Sequence, residues 1–451
     1  MLETQNQNTL SIHQLGLKYA QQLDHEDALN HYRNQFHIPK DAAGNTLIYM
    51  TGNSLGLQPK ATKAYVNQEL DDWANLGVEG HTEGETPWLN YHEFLTESMS
   101  KIVGAKPMEV VVMNTLTANL HLMMVSFYKP TKTRYKILIE SDAFPSDKYA
   151  VESQLRHHGY DDKAGLILWK PKKDETLLQY EDLETILEEH GHEIALIMIG
   201  GVNYYTGQFF DLKRITTLGH DFGCTVGFDC AHGAGNVALN LHDSGVDFAV
   251  WCTYKYLNSG PGSLAGCFVH ERHAYKKDLN RFTGWWSHNK ETRFKMRDEF
   301  DQLPGAEGWQ LSNPPILSMA AIKASLDIFN EVGFDNLIDK SKKLTGYFEF
   351  LLKQLGEHVI KIITPENPDE RGCQISIQVK NANKTLHDTL TQAGVISDWR
   401  EPDVIRCAPV PLYNSFEDVF RLVEKLKGIF SLPNPLSPKE RELRRIFKRE
   451  K

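Results

Sequence analysis

The stretch Phe248-Ala249-Val250-Trp251-Cys252-Thr253-Tyr254-Lys255-Tyr256-Leu257-Asn258 decides how the rest of the chain is interpreted. An apolar strand, Phe248 to Cys252, is followed almost directly by Lys255. A second apolar strand, Cys224 to Phe228, lies upstream and leads into Asp229. Open α/β sheets bind ligands at the carboxyl ends of their strands. We therefore expect Lys255 and Asp229 to face one ligand.

The strand pattern extends on both sides of these two strands, between about residue 108 and residue 270. Besides Cys224 to Phe228 and Phe248 to Cys252, the predicted strands are Glu109 to Met113, Tyr135 to Glu140, Gly165 to Trp169, Ile194 to Ile199 and Gly266 to His270. Between them, apolar residues three and four apart predict amphipathic helices at Asp147 to His157, Tyr180 to His190 and Asp211 to Phe222. This alternation predicts a mostly parallel sheet with helices on both faces.

The C-terminal part of the chain has a different pattern. After Ser312-Asn313-Pro314-Pro315, helices are predicted at Leu317 to Val332 and Leu337 to Leu355, and strands at Cys373 to Val379 and Val404 to Ala408. These elements predict a smaller α+β domain beside the large α/β domain. The expected division is an N-terminal segment packing with the small domain at 1–60, a large ligand-binding domain at 61–330 and a small C-terminal domain at 331–451.

Composition narrows the class of protein. A net charge of −10 at pH 7 argues against nucleic acid or an anionic membrane as the main partner. The six cysteines form no Cys-x-x-Cys pair, which is typical of a reducing compartment. No apolar run is long enough for a signal or a membrane span. We expect a cytoplasmic protein without a metal site, whose basic tail, Lys439 to Lys451, forms a solvated helix.

The pairing of an amine with an acid suits one cofactor. Pyridoxal phosphate (PLP) needs a lysine that forms a Schiff base and a carboxylate that keeps the pyridine nitrogen protonated. Each residue alone has an ordinary explanation, Lys255 as a solvated loop residue and Asp229 as a turn or helix cap. Their shared position after neighbouring strands favours the cofactor.

Two further strands lead into turns that open a helix. In Asn114-Thr115-Leu116-Thr117-Ala118-Asn119 the backbone amides at the helix start could bind a phosphate, with capping by Thr117 as the alternative. In Ala143-Phe144-Pro145-Ser146-Asp147 the ring of Phe144 could stack on a flat ligand. Ser146 and Asp147 would cap the helix or touch that ligand. We expect both turns at the same sheet edge as Lys255 and Asp229.

Several longer strings carry a resemblance to a known family. They are Gly52-Asn53-Ser54-Leu55-Gly56-Leu57, Phe144-Pro145-Ser146-Asp147, Tyr205-Thr206-Gly207-Gln208, Gly227-Phe228-Asp229-Cys230-Ala231-His232, Trp251 to Asn258, Thr292-Arg293-Phe294-Lys295-Met296, Ser312-Asn313-Pro314-Pro315 and Arg406-Cys407-Ala408-Pro409-Val410-Pro411-Leu412-Tyr413-Asn414. Over about residues 50 to 430 the chain resembles kynureninase, a class V aminotransferase-like family of fold type I PLP enzymes.

The resemblance implies a role for each matching residue. Lys255 would carry the cofactor and Asp229 would pair with its ring nitrogen, while Tyr254 would contact the phosphate. Because Tyr254 is adjacent to Lys255, we also expect it to transfer protons. The other implied cofactor contacts are Leu116, Thr117, Phe144, Pro145, Ser146, Asp147, Gly200, His232, Trp285 and Asn313, the last two from a partner subunit. Gly200 stands where many members have a serine. The implied substrate contacts are Arg406 at the α-carboxylate, with Asn53, Asn313 and His81, the histidine at the aryl end of a 3-hydroxylated substrate.

The implied activity is hydrolysis of L-kynurenine, 3-hydroxy-L-kynurenine or both. The products would be anthranilate or 3-hydroxyanthranilate and L-alanine, in tryptophan catabolism or NAD precursor synthesis. The resemblance also implies a homodimer with shared active sites.

Two other functions remain open. A cysteine desulfurase shares the fold but needs a thiolate on a mobile loop, and Cys373 and Cys407 lie in or beside predicted strands. A non-catalytic regulatory module of the same fold is the second alternative. The presence of Lys255, Asp229 and Arg406 argues against it.

Overall fold

The computed structural model describes residues 16–430. Its strands are β1 (Ile48–Tyr49), β2 (Val110–Met113), β3 (Lys136–Glu140), β4 (Leu166–Trp169), β5 (Ile194–Gly200), β6 (Thr225–Asp229), β7 (Phe248–Cys252), β8 (Ala265–Val269), β9 (Ile360–Ile362), β10 (Ile375–Val379), β11 (Val395–Ile396), β12 (Asp398–Arg400) and β13 (Val404–Cys407). Its α-helices are α1 (Leu17–Glu26), α2 (Thr62–Leu76), α3 (Glu93–Val103), α4 (Leu116–Phe127), α5 (Pro145–His157), α6 (Tyr180–His190), α7 (Leu212–Asp221), α8 (Leu241–Ser244), α9 (Ile316–Val332), α10 (Phe334–Lys353), α11 (Lys384–Gln392) and α12 (Phe416–Phe430).

The large sheet has seven strands in the order β2-β8-β7-β6-β5-β3-β4. Strand β8 is antiparallel to both of its neighbours, and every other pair in the sheet is parallel. Six strands therefore run in the same direction, which confirms the predicted mostly parallel sheet. As a result, β2, β3, β5, β6 and β7 all end at one edge.

Each predicted strand is present within two residues of its predicted bounds. The prediction that Glu109 begins a strand is wrong, because this residue ends a 3-10 turn, Pro107–Glu109. Its carboxylate accepts a hydrogen bond from the backbone of Lys106. The helix predicted from Leu337 begins at Phe334 instead, directly after Gly333, whose φ of 76° ends α9.

The smaller sheet has four antiparallel strands in the order β12-β13-β10-β9. Helices α10, α11 and α12 share one apolar core with this sheet. Among the residues they contribute are Leu344, Phe348, Leu390 and Leu422. Part of the N-terminal segment joins this unit. Strand β1 pairs in parallel with β11, and Ala20 and Met50 lie in the same core.

None of the helices between residues 16 and 430 has the length and apolar character needed to cross a membrane. The predicted terminal helix, Lys439 to Lys451, lies outside the described residues.

Candidate cofactor site

A pocket lies at the edge of the large sheet where β3, β5 and β6 end. Its lining residues are Leu116, Thr117, Glu140, Phe144, Ser146, Asp147, Gly200, Val202, Tyr204, Asp229, Ala231, His232, Tyr254 and Lys255. The fold thus brings together ten of the residues expected from the sequence. Glu140, Val202, Tyr204 and Ala231 were not among the expected residues.

Lys255 lies in a turn that the N-terminal segment holds in place. Its Nζ atom is 5.9 Å from the centroid of the Phe144 ring. The backbone N–H of Gly56 donates to the carbonyl of Tyr254 at 2.8 Å. A Cβ at position 56 would lie 2.2 Å from the carbonyl oxygen of Lys255, so only glycine allows this close approach. Gly56 therefore helps to fix the direction of the lysine.

Asp229 and Asp147 form a buried pair of carboxyl groups. Asp229 accepts a hydrogen bond from the backbone N–H of Ala231 at 2.7 Å. Burial raises the pKa of Asp229, and the charge of Lys255 opposes that rise. The pKa of Asp147 is raised further, first by burial and then by the charge of Asp229 and a hydrogen bond with it. Two neighbouring buried carboxylates cannot both ionise without a compensating cation, so the pair suits a ligand with a protonated ring nitrogen.

Glu140 is a site residue that the sequence analysis missed. Its Oε1 atom accepts a hydrogen bond from the backbone N–H of Gly200 at 3.0 Å. Its Oε2 atom is buried and has no hydrogen-bond partner among residues 16–430. Burial raises the pKa of Glu140 to about 8, and the charges of Asp142 and Asp229 act in the same direction. The available signal was its place as the last residue of a predicted strand at the ligand edge.

The start of α4 provides an anion-binding position. Within the described chain, Thr115 precedes this helix without a side-chain capping hydrogen bond. Thr117 is the second residue of α4 and not its cap, and its hydroxyl is 3.1 Å from the hydroxyl of Ser146. The amide of Asn119 donates to the carbonyl of Met113 at 2.9 Å and stiffens the turn. The amides of the first turn are therefore free to bind a phosphate.

Arg406 lies beside this pocket without lining it. Its side chain is 1% exposed, and its guanidinium donates to the carbonyl of Tyr204 and to Asp398. The Tyr204 ring lines the pocket and packs edge-on against Phe144 at 5.3 Å between centroids. His232 also faces this region. Burial, followed by the charges of Lys255 and Arg406, lowers its pKa well below the ordinary value, so the imidazole is neutral.

Five other expected site residues do not line the pocket of this chain. Pro145 is the first residue of α5. The amide of Asn53 donates to Gln374 Oε1 at 2.9 Å, and Nδ1 of His81 is 3.0 Å from the carbonyl of Val78. The indole of Trp285 donates to the carbonyl of Arg293 at 3.2 Å, and Asn313 is exposed.

The cysteines do not provide the nucleophile that a desulfurase requires. All six are buried free thiols. Burial raises the pKa of the thiols of Cys373 and Cys407 to about 12. Cys407 lies within β13, and Cys373 precedes β10. Neither thiol has the exposure or the acidity of a reactive cysteine.

The pocket residues fit PLP. The amine of Lys255 lies near the ring of Phe144. The buried carboxyl pair can bind a cationic group, and the free amides at the start of α4 can bind a phosphate. The buried Oδ1 of Asp147 has no hydrogen bond from any described residue, so it is a polar atom that a bound ligand in this pocket could satisfy.

Solved structures similar to this chain include a cysteine desulfurase and a protein with a PLP cofactor. The apo cysteine desulfurase of Thermococcus onnurineus NA1 has a TM-score of 0.69 at 16% identity, covering 85% of this chain and 94% of that chain. A variant of C-DES with glycine covalently linked to the PLP cofactor has a TM-score of 0.71 at 14% identity. The match covers 87% of this chain and 99% of that chain. At these identities the likeness establishes the fold, which is fold type I of the PLP-dependent enzymes.

Relatives in sequence are much more similar. A protein named kynureninase from Myxococcus xanthus (strain DK1622) is 58% identical over 410 residues, which cover 91% of this chain and 96% of that protein. Another protein named kynureninase, from Koribacter versatilis (strain Ellin345), is 54% identical over 407 residues, which cover 90% of this chain and 96% of that protein. Residues 337–426 match the family model described as the kynureninase C-terminal domain. The chain therefore belongs to the kynureninase family and is a PLP-dependent hydrolase.

Proposed function

We propose that this chain hydrolyses L-kynurenine, 3-hydroxy-L-kynurenine or both. The products are L-alanine and anthranilate or 3-hydroxyanthranilate, and the pathway is tryptophan catabolism or NAD precursor synthesis. The observation that carries the proposal is the meeting of Lys255, the Asp147 and Asp229 pair and Phe144 in one pocket of a kynureninase-family chain. We propose that the domain at 61–330 holds the cofactor, with the segments 1–60 and 331–451 beside it.

When bound, PLP supplies an electron sink that stabilises negative charge at the α carbon of the substrate. Lys255 holds the cofactor, and its released amine takes the proton from that α carbon. Asp229, supported by Asp147, keeps the ring nitrogen protonated, which deepens the sink. Phe144 would hold the cofactor ring, and the free amides of the first turn of α4 would hold its phosphate.

Tyr254 is the proposed proton donor and acceptor near the substrate carbonyl that water attacks. Burial, followed by the neighbouring Cys252, raises the pKa of its phenol. The phenol therefore keeps its proton and enters the reaction as a donor. A proton-transfer residue must lie within hydrogen-bond reach of the reacting group, and Tyr254 lies next to Lys255 in the chain and lines the same pocket.

Arg406 is the proposed partner of the α-carboxylate. A planar guanidinium binds a carboxylate through two parallel hydrogen bonds. Its Nε atom is buried and lacks a hydrogen-bond partner in the described part of the chain. His81, Asn53 and Asn313 are the proposed contacts farther along the substrate, with His81 favouring a 3-hydroxylated ring.

A homodimer with shared sites completes the proposal. Trp285 and Asn313 would reach the cofactor of the partner subunit, because neither lines the pocket of its own chain. Large apolar side chains near them are exposed, with Phe282 at 60%, Phe294 at 54% and Met296 at 71%. Such a patch on a single chain is typical of a surface that binds another protein. The free thiols are consistent with a cytoplasmic location.

The decisive experiment follows the products and traps the lysine. Purified protein with PLP is given L-kynurenine and, separately, 3-hydroxy-L-kynurenine, and the products are separated by chromatography. Borohydride reduction followed by peptide mapping should place the cofactor on Lys255. Lys255→Ala should abolish both results, whereas Lys63→Ala, at an exposed helix position, should preserve them. A protein that stays colourless with PLP would refute the proposal.

The same sample tests the alternatives. Release of sulfide from cysteine, abolished by one Cys→Ala substitution, would indicate a desulfurase. Failure to turn over any amino acid while PLP remains bound would indicate a regulatory module.

A further inference from the structure

Two arginines, rather than one, lie beside the candidate site. The guanidinium carbons of Arg400 and Arg406 are each 5.7 Å from the centroid of the Tyr204 ring. The carboxylate of Asp398 bridges them, with Oδ2 at 3.2 Å from Nη2 of Arg400 and at 2.5 Å from Nη2 of Arg406. Tyr204 lines the cofactor pocket, so both guanidinium groups are separated from it by this one side chain, and neither lines it.

Strand geometry explains why these three side chains meet. Asp398 and Arg400 are two residues apart on β12, so their side chains point to the same face of the sheet. Asp398 lies directly opposite Arg406 on β13, and directly opposed residues share a face. The hairpin formed by β12 and β13 therefore presents all three charges together.

The cluster carries one excess positive charge. Two guanidinium groups face one carboxylate, and His232 nearby is neutral because burial, then Lys255 and both arginines, lower its pKa. The two other acids of this hairpin form no ion pair with these arginines within the described residues. Glu401 accepts from the indole of Trp399 at 2.9 Å, and Asp403 accepts from the amide of Gln378 at 3.2 Å.

Both arginines also have an unused donor. The Nε–H groups of Arg400 and Arg406 are buried and donate to no acceptor among residues 16–430. A buried donor without an acceptor is costly, and two such donors next to an excess positive charge match the oxygens of one carboxylate.

We propose that Arg400 is a second residue that binds the α-carboxylate of the amino-acid substrate, and that Asp398 is a positioning residue that holds Arg400 and Arg406 beside Tyr204. This inference rests on the proposed function, since it assumes that an amino acid enters this pocket. It goes beyond the single arginine already assigned to the carboxylate.

The test for Arg400 uses the PLP-loaded enzyme and three probes. L-kynurenine gives KM and kcat. L-alanine and kynurenamine, the analogue of kynurenine without its carboxylate, give Kd from the change in cofactor absorbance. Arg400→Gln should raise the KM for kynurenine and the Kd for L-alanine about tenfold or more, because a charged hydrogen bond is lost. Its kcat should change less than about twofold and its Kd for kynurenamine should stay constant, as expected for uniform binding.

Two further variants complete this comparison. Arg400→Lys keeps the charge but not the planar fork, so it should recover part of the affinity for L-alanine. Arg421→Gln makes the same change on an exposed helix position and should behave as wild type. An unchanged Kd for L-alanine in Arg400→Gln, or an equal loss for kynurenamine, would overturn the role of Arg400. Failure of the wild type to cleave kynurenine would instead refute the proposed function, and the L-alanine titration would still decide the role of Arg400.

Asp398 has a separate readout. In Asp398→Asn the two guanidinium groups lose their shared counter-charge and should bind chloride. The KM of this variant should therefore rise about fivefold or more with added chloride, while that of wild type and of Asp398→Glu changes little. Identical chloride dependence in Asp398→Asn and wild type would overturn the positioning role.

Discussion

The Oε1 atom of Glu140 accepts a hydrogen bond from the backbone nitrogen of Gly200 at a distance of 3.0 Å. Gly200 lies between Glu140 on β3 and Asp229 on β6, directly opposite Asp229 in the β5–β6 register. A Cβ atom at position 200 would lie 2.8 Å from the Glu140 oxygen. The glycine therefore leaves room for a buried carboxyl group at the cofactor edge.

Replacing Gly200 should disturb this contact. In Gly200→Ala the new methyl group forces the Glu140 carboxyl away from the backbone N–H, and the lost hydrogen bond should lower the free energy of unfolding by about 1 kcal/mol. Urea unfolding measures the change. Gly346→Ala is the matched control, because a Cβ there meets nothing within 4 Å in α10, and it should stabilise the protein by about 0.5 kcal/mol. Equal effects of the two substitutions would contradict the role of the contact.

Glu140 should make stability depend on pH. Its pKa is raised from 4.5 to about 8 in the folded protein, so between these values the folded state binds a proton that the unfolded state releases. The contribution of Glu140 to stability is therefore fully present below its unfolded-state pKa of 4.5. It is lost as the pH rises toward the folded-state pKa of about 8. Glu140→Gln removes the effect.

The cofactor-free Glu140→Gln protein should therefore gain stability relative to wild type as pH rises from about 5 to about 8, by at most on the order of 4 kcal/mol. Urea unfolding at several pH values measures this difference. Parallel pH profiles of the two proteins would show that Glu140 is ionised in both states.

Asp247 should be one of the costliest residues to remove. It accepts hydrogen bonds from His220 at 3.0 Å, from the backbone of Val226 at 2.8 Å and from His273 at 2.8 Å, and it pairs with Arg272. Asp247→Ala leaves these donors without an acceptor and should cost about 3–5 kcal/mol in chemical unfolding. Asp243→Ala, at an exposed position of α8, should cost less than about 0.5 kcal/mol.

The same carboxylate should contribute to acid unfolding. Although burial opposes ionisation, hydrogen bonds from His220 and His273 and the charge of Arg272 hold its pKa well below the ordinary 3.8. A lowered pKa gives stability that is present above 3.8 and is lost as pH falls below it. If Asp247→Ala and wild type lost stability equally in acid, Asp247 would not be a source of this dependence.

Tyr254 should be required for turnover. Loss of a positioned proton donor typically slows the chemical step about 10²–10⁴-fold, and Tyr254→Phe should show a loss of this size in single-turnover cleavage. Tyr275→Phe serves as control, because Tyr275 is 76% exposed. Unchanged single-turnover cleavage in Tyr254→Phe would withdraw the role from Tyr254.

Sequence reasoning found the ligand edge because the residues there follow strands that are visible as apolar runs. It missed Glu140, since a carboxylate that ends a strand has the same pattern whether water or protein surrounds it. Here, Gly200 and Asp229 on adjacent strands enclose it, and only strand order could show that. Tyr204 was missed for a similar reason, because its contacts with Phe144 and Arg406 come from distant segments.

The local pattern of the chain determined which segments form strands and helices, because side-chain periodicity is set by the backbone repeat of each element. It also determined that Lys255 and Asp229 follow neighbouring strands, which indicated the cofactor. Only the tertiary structure decided which charges share an environment. The grouping of Glu140, Asp147 and Asp229, and that of Asp398, Arg400 and Arg406, arise where strands meet, and burial there sets the cost of every unpaired charge.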